Sequence, residues 1–430
     1  MTADRSGPDR PGGFVEGDQV VARVDRVAHG GHCVARVDGQ VVFVRHALPG
    51  ELVTVSITEI RRGYLRAEAV AVHEAAPQRV TPPCPDAGPN RCGGCDLQHV
   101  SPAGQRQWKE AVLREQLLRL GGLSAAEVDA LSVRVRELPG GPLGWRTRVR
   151  YAVDAADRAG LLKHRSHEVV PVRRCLIAHP RIQHQPVLSV TGRRWPGVDA
   201  VELVASGTGE VTVTPVPAGS TVPAGSTDRT SGPAVTGAGV GAAVTETALG
   251  RRWQLPAGAF WQVHPAAAET LADSVLDLLD PRDDESAWDL YGGAGLFAAA
   301  VAGRTGPRGR ITLVESAPAA VSAARANLAD LPQVEVVAAR VEAALTRRRV
   351  TGPVDLVVLD PPRSGAGARV VRAITVAARR AVAYVACDPA AFARDVRTFT
   401  EYGWTLAELR GYDCFPMTQH VECVALLTPA

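Results

Sequence analysis

The chain has 430 residues, 46% of them hydrophobic and 22% charged, enough to bury a core in each of two or three domains, which excludes a disordered polyelectrolyte. A formal net charge of +3 is too small to identify a polyanionic partner, so such a partner has to be read from where the charges fall. No run of about 18 or more uncharged apolar residues occurs and MTADRSGPDRPGG lacks an apolar signal core, so a cytoplasmic protein without membrane spans is expected, and its eight cysteines point to metal binding or catalysis in preference to disulfides.

Residues 1–13 are polar and rich in Pro, Gly and Asp, the composition of a disordered tail. Over 14–75 the segments QVVARVDRVA, GHCVARVDG, QVVFVRHALPG, ELVTVSITEI and YLRAEAVAV alternate β-branched runs with turns, which predicts a small antiparallel, OB-like barrel of five strands. Such barrels often hold nucleic acid, yet seven Arg against eight Asp and Glu between Phe14 and Glu74 leave the charge near balance, and any small β module gives the same pattern. A central α+β segment, 76–252, follows. Its helix is predicted over 101–120, with Ser101 as N-cap, Pro102 at the first helical position, Gly121 as stop, and Trp108, Val112, Leu113, Leu117 and Leu120 toward the core. Residues 144–174 carry eight basic side chains against three acidic ones. Within WRTRVRYAV, Arg146, Arg148 and Arg150 alternate at period two, which sets them on one strand face without an acidic partner between them and predicts contact with phosphates.

Residues 206–247, with a tandem VPAGST at 216–227, are of low complexity and are expected to form a mobile insertion and not a folded unit. From Trp253 onward the strand-like runs SAWDLY, RITLVE, QVEVV, VDLVVLD and AVAYVAC alternate with alanine-rich amphipathic segments, the pattern of a parallel, doubly wound α/β sheet over 253–430.

Chemistry gathers on that sheet. DLYGGAGLF (289–297) is a glycine-rich turn between a strand and a helix, and Glu315 ends the next strand 22 residues after Gly293. A carboxylate there can accept hydrogen bonds from both ribose hydroxyls of an adenosine-containing cofactor. The spacing D-x3-G-x-G differs from the pyrophosphate fingerprint and fits a cofactor without a diphosphate, such as S-adenosylmethionine. DPPRSG (360–365) ends the fourth strand, where open α/β sheets place their ligand crevice. Cys387 ends the fifth strand in YVACDP, and Glu422 lies on the last strand in FPMTQHVECV, where an acidic residue is costly unless it faces a polar cleft. A thiol, a carboxylate and an Asp-Pro-Pro loop at one sheet edge suit methyl transfer to pyrimidine C5. That carbon becomes nucleophilic once a thiolate has added to C6, and a base must then remove its proton. Cys414 and Cys423 are read as packing residues and Cys33 as structural. The remaining cysteines, Cys84-x7-Cys92-x2-Cys95 and the distant Cys175, offer four thiolates for zinc or a [4Fe–4S] cluster.

DPPRSG, YVACDP and FPMTQHVE, in this order, resemble the RNA uracil-5-methyltransferases, which join an N-terminal TRAM barrel, a central iron–sulfur domain and a class I methyltransferase domain. The resemblance runs from about Phe14 to the C-terminus, interrupted by the insertion. It implies that Cys387 is the nucleophile and Glu422 the base, that Gln262 in FWQVHP, Tyr291, Glu315 and Asp360 form the S-adenosylmethionine site, and that Cys84, Cys92, Cys95 and Cys175 hold a [4Fe–4S] cluster in preference to zinc. The chain departs from the family at two places. Arg340 stands where members commonly place an Asp or Asn toward the adenine, and the Cys84–Cys92 spacing is longer than in better-known members. Cluster-containing relatives tend to act on ribosomal RNA, so the resemblance favours a uridine of 23S rRNA over uridine 54 of tRNA, with the base flipped out of its stack. No obligate protein partner is expected. The competing class is an RNA-binding iron–sulfur protein without catalysis, against which Cys387, Glu422 and Asp360 together argue.

Overall fold

A computed structural model describes residues 13–188, 192–219, 243–256 and 258–430 of the protein. Apart from Gly13, the tail expected over 1–13 lies outside the described residues, as does 220–242 of the low-complexity stretch.

Strands β1 (Gln19–Ala28), β2 (His32–Val37), β3 (Gln40–Arg45), β4 (Leu52–Arg61) and β5 (Tyr64–Glu74) close into a barrel in the order β1-β2-β3-β5-β4. Alternate residues such as Val24, Val42, Val44, Val53, Val55, Ile57 and Leu65 fill it. The pair β3–β5 runs parallel, unlike the antiparallel pairing expected, because an odd number of strands cannot alternate direction all the way round a closed ring.

Helix α1 (Pro102–Arg119) begins as the sequence predicts: the Gly104 N–H donates to Ser101 Oγ at 3.3 Å and Pro102 needs no partner for the amide hydrogen it lacks. Trp108, Val112, Leu113 and Leu117 are buried, and Leu120 is partly so. The same face also buries Gln105 and Lys109 completely. Helix α2 (Ala125–Ala130) opens on a Ser124–Glu127 capping box. Next comes β6 (Val135–Glu137), which leaves the central segment to pair parallel with the edge of the large C-terminal sheet.

The central sheet has the order β11-β10-β7-β8-β9, built from β7 (Arg148–Val153), β8 (Ala159–Leu162), β9 (Val169–Val170), β10 (Val198–Ala205) and β11 (Val211–Pro217), with the short helix α3 (Pro180–Gln183) beside it. Strand β12 (Val244–Ala248) pairs with β13 (Arg251–Leu255). Strands β11 and β12 correct the expectation that 206–247 is unfolded throughout. Val211 and Val213 pair along β10, while Val244 is buried opposite Leu255 and Ala248 beside Trp253; the Gly, Thr and Pro around them had masked this alternation.

The C-terminal sheet has the order β16-β15-β14-β17-β18-β20-β19-β6. After α4 (Ala267–Leu279), the chain alternates β14 (Ser286–Leu290), α5 (Leu296–Thr305), β15 (Arg310–Glu315), α6 (Pro318–Asn327), β16 (Val334–Ala338), α7 (Val341–Thr346), β17 (Val354–Leu359), α8 (Ala368–Ala377), β18 (Ala378–Ala386), α9 (Pro389–Glu401), β19 (Trp404–Asp413) and β20 (Glu422–Pro429). Trp288, Leu290, Val357, Leu359, Val382 and Tyr384 fill one core, and Ala287, Leu356, Val358, Ala383 and Val385 the other. Both faces are therefore covered, as a doubly wound sheet requires. Strand β20 runs antiparallel to β18 and β19, a reversal the alternation pattern did not show because its eight residues follow β19 without a crossover helix. Among the described residues no helix is long and apolar enough to cross a membrane.

Candidate active site

The turn after β14 is shaped by close approach. A Cβ on Gly292 would lie 2.5 Å from Leu313 Cγ, so only glycine fits there. Tyr291 takes φ +64° and its N–H donates to the Val314 carbonyl at 3.0 Å. Glu315, at the end of β15, closes the other side. Its Oε2 accepts the Gly293 N–H at 3.1 Å, and its Oε1 accepts those of Ser316 and Ala317 at 2.6 and 2.7 Å. The carboxylate is thus fixed between the glycine turn and the start of α6. Asp360 follows β17, is 9% exposed, and donates its N–H to the Leu290 carbonyl at 3.2 Å. Gln262 is 6% exposed, and its strap is held where the Val263 carbonyl accepts from both the N–H and the hydroxyl of Thr147. Burial and the charges of Asp395 and Glu342 push the Tyr291 phenol up, while the nearby Arg340 opposes that rise.

The second half of the site lies across the sheet. Strands β18 and β20 pair Ala386 with Cys423, so the next position on each chain sets half-buried Cys387 opposite Glu422, which has no exposed surface. Asp388, beside the cysteine, caps α9 by accepting the Ala391 N–H at 2.8 Å. Cys414 and Cys423 are buried in the core, and Cys33 is buried in the barrel, where its thiol donates to the Ala47 carbonyl.

Two carboxylates in this region escaped the sequence reading. Asp289 is 1% exposed; its Oδ2 accepts the Ala298 N–H at 2.8 Å. Burial, with the charges of Asp360 and Glu315, pushes it up to about 7. Among the described residues its Oδ1 has no hydrogen-bond partner. Asp395, on α9, accepts from the Tyr384 hydroxyl at 2.7 Å, from the Ala366 N–H at 2.7 Å and from the Gly367 N–H at 3.1 Å. It therefore ties the end of the DPPRSG loop to the helix that follows Cys387. Asp289 stood in the glycine-rich turn already recognised and Asp395 a short way beyond YVACDP, but a strand interior and a helix face gave no sign of what they meet.

Cys84, Cys92, Cys95 and Cys175 line a single cavity of about 70 Å³, together with Arg146 and Arg150. Gly93 lies so close to the backbone of His164 that a Cβ would come within 2.3 Å of its nitrogen. Burial pushes the Cys92 thiol up to about 11 and raises those of Cys84, Cys95 and Cys175. Thiolates here therefore need a cationic centre beside them. Among the described residues no three His, Cys, Asp or Glu side chains stand close enough to hold one metal ion.

The arginine face does not stand as expected. Arg148 pairs with buried Glu246 at 2.8 Å and donates to the Ala259 carbonyl, and Arg150 pairs with Glu202 at 2.7 Å. Arg146 precedes the strand and donates to the Arg148 carbonyl. The acidic partners come from β10 and β12, distant in sequence, so Arg148 and Arg150 are paired within the protein, while Arg146 lines the cavity of the four cysteines.

A model of the TRAM domain matches residues 14–70, and a model of the tRNA (uracil-5-)-methyltransferases matches residues 249–430. An uncharacterized RNA methyltransferase of Streptomyces avermitilis is 46% identical over 442 residues, covering 96% of this chain and 99% of its own. The chain belongs to the RNA uracil-5-methyltransferase family. A second such methyltransferase, from Streptomyces coelicolor, is 45% identical over 434 residues and covers 96% of this chain and 93% of its own. In fold, this methyltransferase is similar to the Pyrococcus abyssi tRNA (uracil-54, C5)-methyltransferase solved with S-adenosyl-L-homocysteine. The TM-score is 0.67 at 21% identity, over 95% of this chain and 100% of that one. It is an S-adenosylmethionine-dependent enzyme acting on uracil in RNA.

Proposed function

We propose that this methyltransferase modifies C5 of a uridine in 23S rRNA, with Cys387 as nucleophile and Glu422 as base. The observation that carries the chemistry is the β18–β20 register, which sets Cys387 opposite buried Glu422. The thiol stands just before the N-cap of a 13-residue helix, and because a free thiol ordinarily has a pKa of about 8.5, its proton must leave before or as the bond to C6 forms. Addition of the thiolate to C6 makes C5 nucleophilic, and S-adenosylmethionine supplies the methyl group. Glu422 then takes the C5 proton, the C6–sulfur bond breaks, and the thiolate is restored. Glu315 holds the ribose hydroxyls, and Gln262, Tyr291 and Asp360 complete the cofactor cradle. A [4Fe–4S] cluster on Cys84, Cys92, Cys95 and Cys175 belongs to this reading. It is supported by four thiols from distant segments lining one cavity, where a cluster spreads its ligands wider than a single ion does. Iron and sulfide analysis of anaerobically purified protein tests it, and stoichiometric zinc without iron contradicts it. The division into barrel 14–75, central domain 76–252 and methyltransferase domain 253–430, and action in the cytoplasm, are parts of the same proposal.

Methylation of uridine 54 in tRNA is the second reading, favoured by the activity named for the Pyrococcus abyssi neighbour. Mapping 5-methyluridine in rRNA and tRNA from a deletion strain decides between them. The first reading expects loss of one 23S rRNA methyl group with tRNA unchanged.

A further inference from the structure

The barrel reaches the nucleophile. The turn joining β1 to β2 carries His29, whose Nε2 lies 3.5 Å from Asp388 Oδ2, the carboxylate next to Cys387. Asp388 uses its other oxygen to cap α9, so this one side chain fixes the start of the helix and meets the barrel at once. Two residues further along the turn, the Gly31 backbone packs so tightly that a Cβ would lie 3.0 Å from Asp96 Cβ and 3.2 Å from Gln419 Cβ. Gln419 belongs to the FPMTQHVE loop that leads into Glu422, and its N–H donates to Asp96 Oδ2 at 3.3 Å. Asp96 is held in turn by Arg45 of the barrel at 3.1 Å. The turn is therefore wedged between the loop that ends at the nucleophile and the loop that leads to the base. The His29 side chain stays 34% exposed, too open to serve as a core residue.

We propose that His29 is a positioning residue for the covalent step: the barrel supplies an imidazole that holds Asp388, and through it the Cys387 loop, in the arrangement needed for attack on C6. The inference rests on Cys387 being the nucleophile. It gives the barrel a part in the chemistry in addition to any grip on the RNA, because withdrawing the turn removes the partner of the residue beside the thiol.

The test uses the full-length protein, bulk RNA from a strain lacking the enzyme, and S-adenosylmethionine with a tritiated methyl group. His29→Leu is expected to lower kcat about tenfold through loss of the contact with the Asp388 carboxylate, while KM for RNA and the melting temperature hold. His29→Gln, whose amide can still donate to Asp388, should recover most of that rate. In an Asp388→Asn background, His29→Leu should cause no further loss. A raised KM with unchanged kcat would make His29 an RNA contact and overturn the proposal. So would an unchanged kcat, or an equal loss in both backgrounds. Cys387→Ala is run alongside: its retained turnover would remove the covalent reading itself, whereas a dead Cys387→Ala with a fully active His29→Leu removes only the role of His29.

Discussion

Lys109, wholly buried on α1, lies 2.5 Å from Asp413 at the end of β19 and also donates to the Phe415 carbonyl at 3.1 Å. One turn earlier, Gln105 accepts the Met417 N–H at 2.7 Å. Helix α1 thus grips the loop leading to Glu422 from a segment 304 residues away. Burial draws the Lys109 amine down and the Asp413 carboxylate opposes that shift. Lys109→Met should destabilise the protein by ~3–5 kcal/mol, since it leaves a buried carboxylate uncompensated. Lys109→Met with Asp413→Leu should be markedly more stable than the single variant. Urea unfolding of the two variants checks this.

Asp395 makes a graded prediction. Tyr384→Phe removes one donor and should cost ~1 kcal/mol, whereas Asp395→Leu strands the Ala366 and Gly367 N–H groups and the tyrosine hydroxyl together and should cost ~3 kcal/mol or more. Because the lost bonds hold the loop that begins at Asp360, calorimetry should also show weaker S-adenosylmethionine binding for Asp395→Leu. Equal effects of the two variants would place the loop's anchor elsewhere.

Acid should loosen the seat of the barrel. Burial, aided by the charges of Arg45 or Arg79, draws His32 down to about 3, His46 to about 2, His99 to about 4 and His164 to about 4, all from an ordinary 6.5. The rings meet in pairs, His46 with His99 and His32 with His164. Below about 6.5 the unfolded chain takes up protons that the folded one refuses. Their contribution to stability is therefore complete above that pH and falls as pH drops toward 4. The melting temperature should decline across this window. His46 sits at φ +60°, which asparagine tolerates, so His46→Asn should fold and show a shallower decline. An unchanged slope would show that His46 plays no part in it.

Arg148→Met separates pairing from phosphate binding. It leaves Glu246 buried without its cation and should cost ~3–5 kcal/mol of stability, while the salt dependence of RNA binding stays as it was. Filter binding at several salt concentrations, beside thermal unfolding, distinguishes the two roles.

What the sequence disclosed was whatever is encoded locally. The apolar runs of β14, β15, β17 and β18 and the alternation along β1 to β5 read directly as strands, because consecutive residues carry that signal. Glu315, Asp360, Cys387 and Glu422 stood out as candidates because each lies at or beside a strand end inside a short motif. The pattern along α1 showed that one face is buried, but not that Gln105 and Lys109 share it, because a buried polar residue makes sense only once Met417 and Asp413 are seen opposite. Arg148 and Arg150 misled for the same reason, since Glu246 and Glu202 are distant in the chain. His29 lay beyond any local reading, because its neighbour Asp388 follows β18, far along the chain.

The covalent mechanism is tested most directly by denaturing electrophoresis of Cys387→Ala and Glu422→Gln after incubation with unmodified RNA and S-adenosylmethionine carrying a tritiated methyl group. The account predicts that Cys387→Ala binds the cofactor yet neither turns over nor forms an adduct. Glu422→Gln should complete addition and methyl transfer, then stall, because breaking the C6–sulfur bond requires loss of the C5 proton. A methylated protein–RNA band should therefore accumulate in that variant alone. Normal turnover by Cys387→Ala would contradict the covalent mechanism, and normal turnover by Glu422→Gln without an adduct would take the role of base away from Glu422.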